Sequence, residues 1–398
     1  INLGLRIGPL REDGFHDLRT VYQTIGLHDM VSVSVGRGSG IEIRCEDPRV
    51  PTDLTNTCFR IIERAMQALK ARGRIVIEIE KRLPVQGGLG GASGNAVTAL
   101  LALERAMRKK MPAPERLRIA AEVGSDIPLF LIGGTVLGVG RGEEVYPLPE
   151  LTSTPCVIAL PEVAISTPKA FADWDRACGA GALARENEIE NDLASKKIGK
   201  GTASSRAKLS QYDQALAPEV PAEHSSARTG DGARPHTARA SHIVGVSHIA
   251  AENPTNKPEP KLTPPTHSDR MLEFSREISA WLNAVPSTGG RRSGVSARGG
   301  GRAENPLLDL VRTGIENDFE RVVFPKYPEL LEVKRVLEKA GARYASLSGS
   351  GSAIYGLFDS SSQAAAAAKK LIQQGTRALV TSTLTRRRYW KKLSAASY

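Results

Sequence analysis

Apolar residues change their spacing across residues 75–107, and this change predicts a strand followed by a helix. At every second position stand Ile75, Ile77 and Ile79, as in a strand with one buried face. At helical spacing stand Ala96, Leu100, Leu103 and Met107, with Glu104, Arg105 and Arg108 expected on the opposite, solvated side. The segment from Leu83 to Val97, L-P-V-Q-G-G-L-G-G-A-S-G-N-A-V, joins the two patterns. The sequence therefore predicts a glycine-rich turn that opens directly into a helix.

The glycines of this turn predict a binding site for a nucleotide phosphate. Gly87, Gly88, Gly90 and Gly91 carry no side chains that would keep a ligand away from the backbone. Successive N–H groups and the positive end of the helix dipole can then converge on an anion. The segment is not a Walker A loop, because no G-K-[ST] follows, and its spacing does not fit a dinucleotide fingerprint. A connection in which the glycines serve turn geometry alone stays open as the alternative.

The same segment resembles the signature P-x-G-G-G-L-G-G-G-S-S-N-A of the GHMP kinases, and within them of the 4-diphosphocytidyl-2-C-methyl-D-erythritol kinases. Further segments resemble that family in the same order, among them G-S-D-I-P-L-F, I-S-T-P-K-A-F, N-D-F-E and L-S-G-S-G-S-A. The resemblance covers about residues 1–177 and 303–380. Several motifs in the right order are far more specific than any single one.

The resemblance implies a two-domain α/β (α+β) fold. Residues 1–150 are expected to form an ATP-binding domain like ribosomal protein S5 domain 2, and residues 151–178 and 266–385 a ferredoxin-like domain. The implied reaction transfers the γ-phosphoryl group of ATP, with Mg²⁺, to the 2-hydroxyl of 4-diphosphocytidyl-2-C-methyl-D-erythritol in non-mevalonate isoprenoid biosynthesis. The alternatives are another GHMP small-molecule kinase, of the homoserine or mevalonate type, and a non-catalytic GHMP-fold binding protein.

The composition is that of an ordinary globular enzyme, with 40% hydrophobic and 24% charged residues. No apolar run approaches the roughly 20 residues that span a bilayer, and the amino terminus lacks a basic region followed by an apolar one. We therefore expect a cytoplasmic protein without a membrane partner. The cysteines form no C-x-x-C pair and are expected to be reduced, mostly buried thiols: Cys45, Cys58, Cys156 and Cys178.

The formal net charge of +11 has a partly local origin. Five basic residues between 386 and 392 surround Tyr389 and Trp390 and supply nearly half of the excess. Basic residues interleaved with aromatics can bind nucleic acid. We favour instead a frayed, solvated tail over residues 386–398 and expect no nucleic-acid partner. The remaining positive charge can steer polyanionic nucleotides toward the protein.

Residues 179–265 interrupt the folded pattern. They are rich in small and polar residues, with almost no aromatics, and cannot bury enough apolar area to offset backbone ordering. We therefore expect a largely disordered insertion. The histidines here match no metal-ligand spacing, so no protein metal site is expected at His224, His236, His242, His248 and His267. A helix over residues 271–282 is predicted next from Leu272, Ile278, Trp281 and Leu282, before a loop to about residue 302.

Asp126 is the expected catalytic residue. In the family the matching Asp removes or orients the proton of the substrate hydroxyl, and a nearby Lys keeps that carboxylate useful beside phosphates. Because Pro128 follows closely, the alternative for Asp126 is a helix N-cap that accepts backbone N–H groups. The family's opening motif is A-K-I-N-L, so its catalytic Lys would stand immediately before Ile1, and we expect the natural chain to extend upstream.

The resemblance also assigns ligand-binding residues position by position. ATP binding is assigned to Pro84, Gly87, Gly88, Leu89, Gly90, Gly91, Ser93 and Asn95. Substrate binding is assigned to Asn2, Phe15, His16, Tyr22, Thr167, Phe171, Ser348, Gly349 and Gly351. Gly94 stands where the family has a second Ser, so Ser93 is expected to serve alone near the triphosphate or Mg²⁺. We therefore expect weaker nucleotide binding than is typical.

The cytosine base of the substrate is expected to lie between two aromatic rings. Phe15 stands where the family usually has Tyr, and Phe171 matches the aromatic residue on the opposite face. Stacking contributes about 1–3 kcal/mol per base. His16 is expected to hydrogen-bond the cytosine edge, with Thr167 as a nearby polar contact. As the alternative, both phenylalanines are simple core aromatics.

The segment L-S-G-S-G-S-A lies between two short predicted strands that begin at Tyr344 and Ile354. As in the family's third motif, donors near the substrate diphosphate are expected from Ser348, Gly349 and Gly351. Asn2 is expected near the erythritol and phosphates. A plain hairpin turn is the alternative for this segment.

Overall fold

The computed structural model describes residues 1–85, 87–178, 267–284 and 315–395. The insertion predicted over residues 179–265 lies outside the described residues, and so does the loop predicted to about residue 302. The cysteines are all free, and Cys58 and Cys156 are buried, as the sequence predicts.

Within the described residues, eleven strands form three sheets. The strands are β1 Asn2–Leu10, β2 His16–Gln23, β3 Met30–Gly36, β4 Gly40–Cys45, β5 Arg74–Glu80, β6 Thr135–Val139, β7 Glu144–Pro147, β8 Pro155–Leu160, β9 Tyr344–Leu347, β10 Ile354–Leu357 and β11 Arg377–Ser382. Their orders are β1-β2-β6-β7, β3-β5-β4 and β11-β8-β10-β9. Neighbouring strands are antiparallel, except that β4 and β5 are parallel.

The helices pack on these sheets. They are α1 Thr57–Ala68, α2 Gly91–Ala106, α3 Ala113–Val123, α4 Pro128–Ile132, α5 167–178, α6 His267–Ala284, α7 Glu320–Val323, α8 Pro328–Lys339, α9 Ser361–Gln373 and α10 Arg386–Ala395. In the part of the chain that the structure describes, none of these helices has the length and apolar character needed to cross a bilayer.

The amino-terminal core lies between the β3-β5-β4 sheet and helices α1, α2 and α3. The predicted strand and helix both form, and their buried apolar residues include Ile75, Ile77, Ile79, Ala96, Leu100 and Leu103. Glu104 was expected on the solvated side of α2, and this expectation is wrong. Its buried carboxylate accepts hydrogen bonds from the Arg116 guanidinium at 2.9 and 2.7 Å and from the Met111 N–H at 2.8 Å. This charge-assisted pair ties α2 to α3.

The carboxyl-terminal sheet confirms the predicted ferredoxin-like fold. Its order, β11-β8-β10-β9, is that of a βαββαβ unit whose fourth and first strands are neighbours. Helices α8 and α9 supply the two crossovers and pack against the sheet. The strands predicted to begin at Tyr344 and Ile354 both form, so the L-S-G-S-G-S-A loop joins two adjacent antiparallel strands.

The β1-β2 hairpin contributes to two hydrophobic cores that both include residues of the carboxyl-terminal sheet. Leu5 packs into the core beneath the carboxyl-terminal sheet, whereas Leu3 packs into a neighbouring core with residues of β8 and β10. The Leu5 backbone exchanges hydrogen bonds with residues 316 and 318, at 2.8 and 2.9 Å. Asn2 is paired with Tyr22 across the hairpin. The hairpin therefore places both residues at the junction of the two domains.

The basic segment near the carboxyl end is helical, so the expectation of a frayed, solvated tail is wrong for its described part. The Tyr389 hydroxyl of α10 donates to the Phe130 carbonyl at 2.7 Å, and the Trp390 indole N–H donates to the Ile132 carbonyl at 3.0 Å. The Arg386 guanidinium donates to three more backbone carbonyls. Amphipathic aromatic side chains often dock in this way, with the ring packed and the polar atom bonded.

Helix α6 contains the helix predicted over residues 271–282 and begins earlier. Met271, Phe274 and Ile278 form its buried side. Leu272, which was expected to pack, is 49% exposed, because it lies about 100° around the helix from Met271. The side chains of Trp281 and Leu282 lie outside the described residues.

Candidate active site

One cleft at the junction of the two domains brings together many of the predicted site residues. Lining it are Asn2, Tyr22, Gly88, Leu89, Gly90, Gly91, Asn95, Asp126, Thr167, Phe171 and Gly349. The predicted residues that do not line this cleft are Pro84, Gly87, Ser93, Phe15, His16, Ser348 and Gly351. The cleft thus has a glycine-rich turn on one side and the L-S-G-S-G-S-A loop on the other.

The two glycine-rich loops touch each other. The Ser348 hydroxyl donates to the Gly88 carbonyl at 2.8 Å, and the Ala353 N–H donates to the Gly87 carbonyl at 3.3 Å. Gly88 has a φ of +70°, and a Cβ there would lie 2.6 Å from the Ser348 carbonyl oxygen. Only glycine allows both this backbone conformation and this close approach. The loops of the two domains therefore form one wall of the cleft.

Gly90 starts the helix that faces the cleft. It has a φ of +66° and precedes α2, and a Cβ there would lie 2.8 Å from the ring of Phe130. The first N–H groups of a helix have no partner inside the helix, so the start of α2 presents donors and a positive dipole to the cleft. Ser93 lies in this first turn and is partly buried. This arrangement fits a phosphate group.

Pro84 and Gly87 shape the turn from behind. A Cβ on Gly87 would lie 2.7 Å from Pro84 Cγ, so the two residues are packed against each other. This contact fixes the path of the backbone in the turn.

Asp29 anchors the glycine-rich turn, a role that the sequence analysis missed. The Lys81 ammonium donates to its Oδ2 at 2.5 Å, the Asn95 amide to the same oxygen at 2.8 Å, and the Leu83 N–H to Oδ1 at 2.8 Å. Burial opposes ionisation of Asp29, but these donors outweigh it and hold its pKa below the usual value. Asn95, expected to bind ATP, thus also ties α2 to the residue before β3.

Asp126 opens into the cleft just before α4. The Tyr22 hydroxyl donates to its Oδ1 at 2.9 Å. The N-cap position of α4 is Ile127, and no side chain caps this helix, so the alternative of Asp126 as a helix cap is wrong. Desolvation by the surrounding protein raises the pKa of Asp126, and the hydrogen bond from Tyr22 opposes this rise. The arrangement suits a carboxylate that accepts a proton from a group bound in the cleft.

The L-S-G-S-G-S-A loop is held by a side chain from outside it. The Asn317 amide donates to the carbonyls of Leu347 and Gly349, at 2.9 and 2.8 Å. Ser348 and Gly351 were expected to provide donors near the substrate diphosphate, and in this structure both residues contact protein. Ser348 is fully buried and uses its hydroxyl on the glycine-rich turn, and Gly351 has a φ of +98° and packs against apolar side chains. Gly349 alone of the three lines the cleft.

The predicted pair of aromatic faces, Phe15 and Phe171, is not formed. Phe15 is 50% exposed, and the Arg141 guanidinium lies 5.1 Å from its ring centroid. His16 instead stacks on Phe171, with ring centroids 5.2 Å apart and an interplanar angle of 5°. The His16 ring nitrogens contact the Gly8 carbonyl at 3.0 Å and Asp175 at 3.1 Å. In this structure His16 packs behind Phe171, and of the two predicted base-stacking residues only Phe171 lines the cleft.

The polar floor beside Phe171 includes Thr167 and Asn2. The Thr167 hydroxyl lies 2.8 Å from the Ser350 hydroxyl, and this contact links α5 to the L-S-G-S-G-S-A loop. The Asn2 side-chain amide group donates to the Thr20 hydroxyl at 2.9 Å. The side-chain oxygen of Asn2 lies near Gly349. Among the described residues, no group of three or more His, Cys, Asp or Glu side chains is arranged to hold a metal ion.

Comparison with known families defines the class of protein. Residues 56–134 match the family model of the GHMP kinases N terminal domain, and residues 304–377 match that of the GHMP kinases C terminal. Both the amino-terminal and the carboxyl-terminal part of the chain therefore match models of the GHMP kinases, in agreement with the ferredoxin-like sheet and the glycine-rich turn.

Similarity to individual proteins is narrower. The chain is 29% identical to a 4-diphosphocytidyl-2-C-methyl-D-erythritol kinase from Solibacter usitatus, over 98% of this chain and 90% of that relative. It is 38% identical to the kinase of the same name from Rhodococcus jostii, but this match spans 44% of this chain and 57% of that relative. A crystal structure of 4-(cytidine 5'-diphospho)-2C-methyl-D-erythritol kinase has the same fold, with a TM-score of 0.56, 23% identity and 96% of both chains covered.

Proposed function

We propose that this chain transfers the γ-phosphoryl group of ATP to the 2-hydroxyl of 4-diphosphocytidyl-2-C-methyl-D-erythritol, a step of non-mevalonate isoprenoid biosynthesis. The carrying observation is that Asp126, the start of α2 and the Gly349 loop open into one cleft. A phosphate cradle beside a carboxylate is the minimum arrangement for phosphoryl transfer to an alcohol. The relatives named above support this choice of acceptor.

ATP would place its phosphates at the start of α2. The backbone around Gly88, Gly90 and Gly91 lines the cleft there and carries no side chain that would keep phosphates away. We propose that Mg²⁺ accompanies the nucleotide, where it would neutralise charge on the transferred group. Ser93, in the first turn of α2, is the residue that the family resemblance places near the metal, although its side chain does not line the cleft in this structure. The fixed donors of the helix start need no rearrangement during transfer.

Asp126 would accept the proton of the acceptor hydroxyl. As the new oxygen–phosphorus bond forms, the bond between the γ-phosphorus and the bridging oxygen of ADP breaks, and the proton of the alcohol moves to Asp126. Ile1 lines the same cleft as Asp126. A Lys placed before Ile1, as in the family motif, would therefore extend from the same wall.

The acceptor would lie between Phe171, Thr167 and Asn2. Phe171 offers one ring face or edge to a base, and the two polar side chains offer partners to hydroxyl and phosphate oxygens. A single aromatic surface is a smaller base platform than the two that the sequence predicted.

The experiment is a direct assay of acceptor choice. The full chain is incubated with ATP, Mg²⁺ and one of three acceptors: 4-diphosphocytidyl-2-C-methyl-D-erythritol, homoserine or mevalonate. Phosphorus NMR then identifies the product. The proposal predicts a 2-phosphate on the first acceptor alone, and the same assay is run on a chain extended by Ala-Lys before Ile1. Phosphorylation of homoserine or mevalonate in preference would overturn the proposed acceptor, and no phosphorylation by the extended chain would overturn the proposed reaction.

A further inference from the structure

Tyr22 contacts the carboxylate that the proposed reaction uses. It lies on β2, is 6% exposed, and its hydroxyl donates to Asp126 Oδ1 at 2.9 Å. The backbone of Tyr22 is paired on one side with Asn2 of β1 and on the other with Val136 of β6. Because both neighbouring strands pair with its backbone, the Cα and Cβ atoms of Tyr22 have little freedom to move. Tyr22 was expected to bind substrate, and it lines the cleft with its hydroxyl bonded to Asp126.

Two glycines form the seat of the Tyr22 ring. A Cβ on Gly138 would lie 2.5 Å from Tyr22 Cε2, and a Cβ on Gly142 would lie 2.8 Å from the Tyr22 hydroxyl oxygen. Any other residue at either position would push the ring out of place. Gly142 also has a φ of +103°, which glycine adopts at no steric cost. The packing around the ring thus fixes the hydroxyl at one point beside Asp126.

We propose that Tyr22 is a positioning residue for Asp126, and this inference rests on the proposed function. By occupying Oδ1, the Tyr22 hydroxyl leaves Oδ2 as the oxygen that can accept the proton of the acceptor hydroxyl. It also selects one rotamer of a short side chain that is open to the cleft. Tyr22 therefore acts through Asp126, with no contact to the transferred group.

The charges around this pair determine the direction of a pH effect. The charged side chain that faces it is Glu143, which is paired with Arg141 at 3.0 Å. Burial, with Asp126 nearby, raises the pKa of Tyr22 well above its usual value, so the hydroxyl remains a donor through neutral pH. A donated hydrogen bond favours the ionised carboxylate. Removing it should raise the pKa of Asp126.

The kinetic test is Tyr22→Phe, which keeps the ring in its seat. We expect kcat to fall roughly ten-fold, as for loss of a hydrogen bond to a charged group, with KM for ATP and for the acceptor within about two-fold. The acid limb of the kcat profile should move to higher pH. The matched control is Tyr344→Phe, which removes a buried hydroxyl bonded to the Leu3 and Ile315 carbonyls and should leave kcat and its pH profile unchanged.

Two results would overturn the inference. A raised acceptor KM with unchanged kcat would make Tyr22 a substrate contact, and equal losses in both Tyr→Phe variants would reduce its role to packing. A second measurement separates this inference from the proposed function. The Asp126 carboxyl is followed by carbon-13 NMR titration, assigned with Asp126→Asn, in the parent and in Tyr22→Phe. An upward shift of the Asp126 pKa in the variant supports the inference whatever the acceptor is, and an unchanged pKa contradicts it. Absence of phosphorylation by the chain extended with Ala-Lys contradicts the proposed function instead.

Discussion

The hydroxyl of Ser348 donates a hydrogen bond to the carbonyl oxygen of Gly88 at 2.8 Å, across 260 residues of chain. This bond joins the loop that would bind ATP to the loop that would approach the acceptor. In the proposed function, the spacing between nucleotide and acceptor would therefore be set by a direct contact between the two loops. Because phosphoryl transfer depends on alignment of the reacting atoms, a small displacement at this contact should affect the rate.

Gly88→Ala should be strongly destabilising. The new Cβ would meet the Ser348 carbonyl oxygen at 2.6 Å, and the residue would keep a φ of +70°. Overpacking and backbone strain together should cost roughly 3 kcal/mol or more in the free energy of unfolding. Gly14→Ala is the matched control, since Gly14 has a φ of +79° and no atom within 4 Å of its Cβ position. It should cost about 1 kcal/mol. Equal losses in denaturant titrations of the two variants would mean that the loop contact adds nothing.

Gly94→Ser should tighten nucleotide binding. Its Cβ would lie 3.5 Å from the Phe130 ring, an ordinary contact, so the first turn of α2 has room for a side chain. The added hydroxyl would restore the donor that the family has at this position, and we expect a decrease of roughly three- to ten-fold in Kd for ADP. Gly94→Ala gains the same helix propensity without the hydroxyl and should leave Kd unchanged by calorimetry. Equal tightening in both variants would assign the effect to the helix.

Asp126→Asn should abolish turnover while sparing the fold. We expect kcat to fall by roughly two orders of magnitude or more and KM for ATP to change by no more than a few-fold. The raised pKa of Asp126 means that stability is lost as pH rises through that pKa, because the folded state binds the proton more tightly than the unfolded state. The neutral Asn should therefore keep or raise Tm at pH 7. Activity of the parent should fall as pH drops through the same pKa, and near-normal turnover in Asp126→Asn would refute the role as base.

Phe171→Ala should weaken binding of the acceptor and leave binding of ATP unchanged. Loss of one stacking surface, worth about 1–3 kcal/mol, should raise the acceptor KM roughly ten-fold. Phe15→Ala is the control that the structure supplies, because Phe15 is half exposed and outside the cleft. Steady-state kinetics should show no change in its acceptor KM. A similar rise in both variants would restore the two-sided base site that the sequence predicted.

Local patterns made part of this site predictable. The isoleucines of β5 alternate because one face of the strand is buried, and the glycine run that follows predicts the turn before α2. Asp29 gave no such signal, because its partners Lys81 and Asn95 lie 52 and 66 residues away. Phe15 was misplaced for a related reason. A tight turn closed by the hydrogen bond from its N–H to Asp13 directs the residue outward, and residue identity alone does not reveal that direction.

The hydrogen bonds from Tyr389 and Trp390 to backbone carbonyls of α4 affect the order in which parts of the fold can form during protein synthesis. Tyr389 and Trp390 lie 259 and 258 positions after the residues whose carbonyls accept these hydrogen bonds. At about 5–20 residues per second, a ribosome needs roughly ten to fifty seconds to make that stretch. The turn that carries Asp126 therefore leaves the ribosome long before Tyr389 and Trp390 do. The glycine-rich turn of a nascent chain is therefore made early, whereas the segment around Asp126 lacks these two hydrogen bonds until residues 389 and 390 have been made.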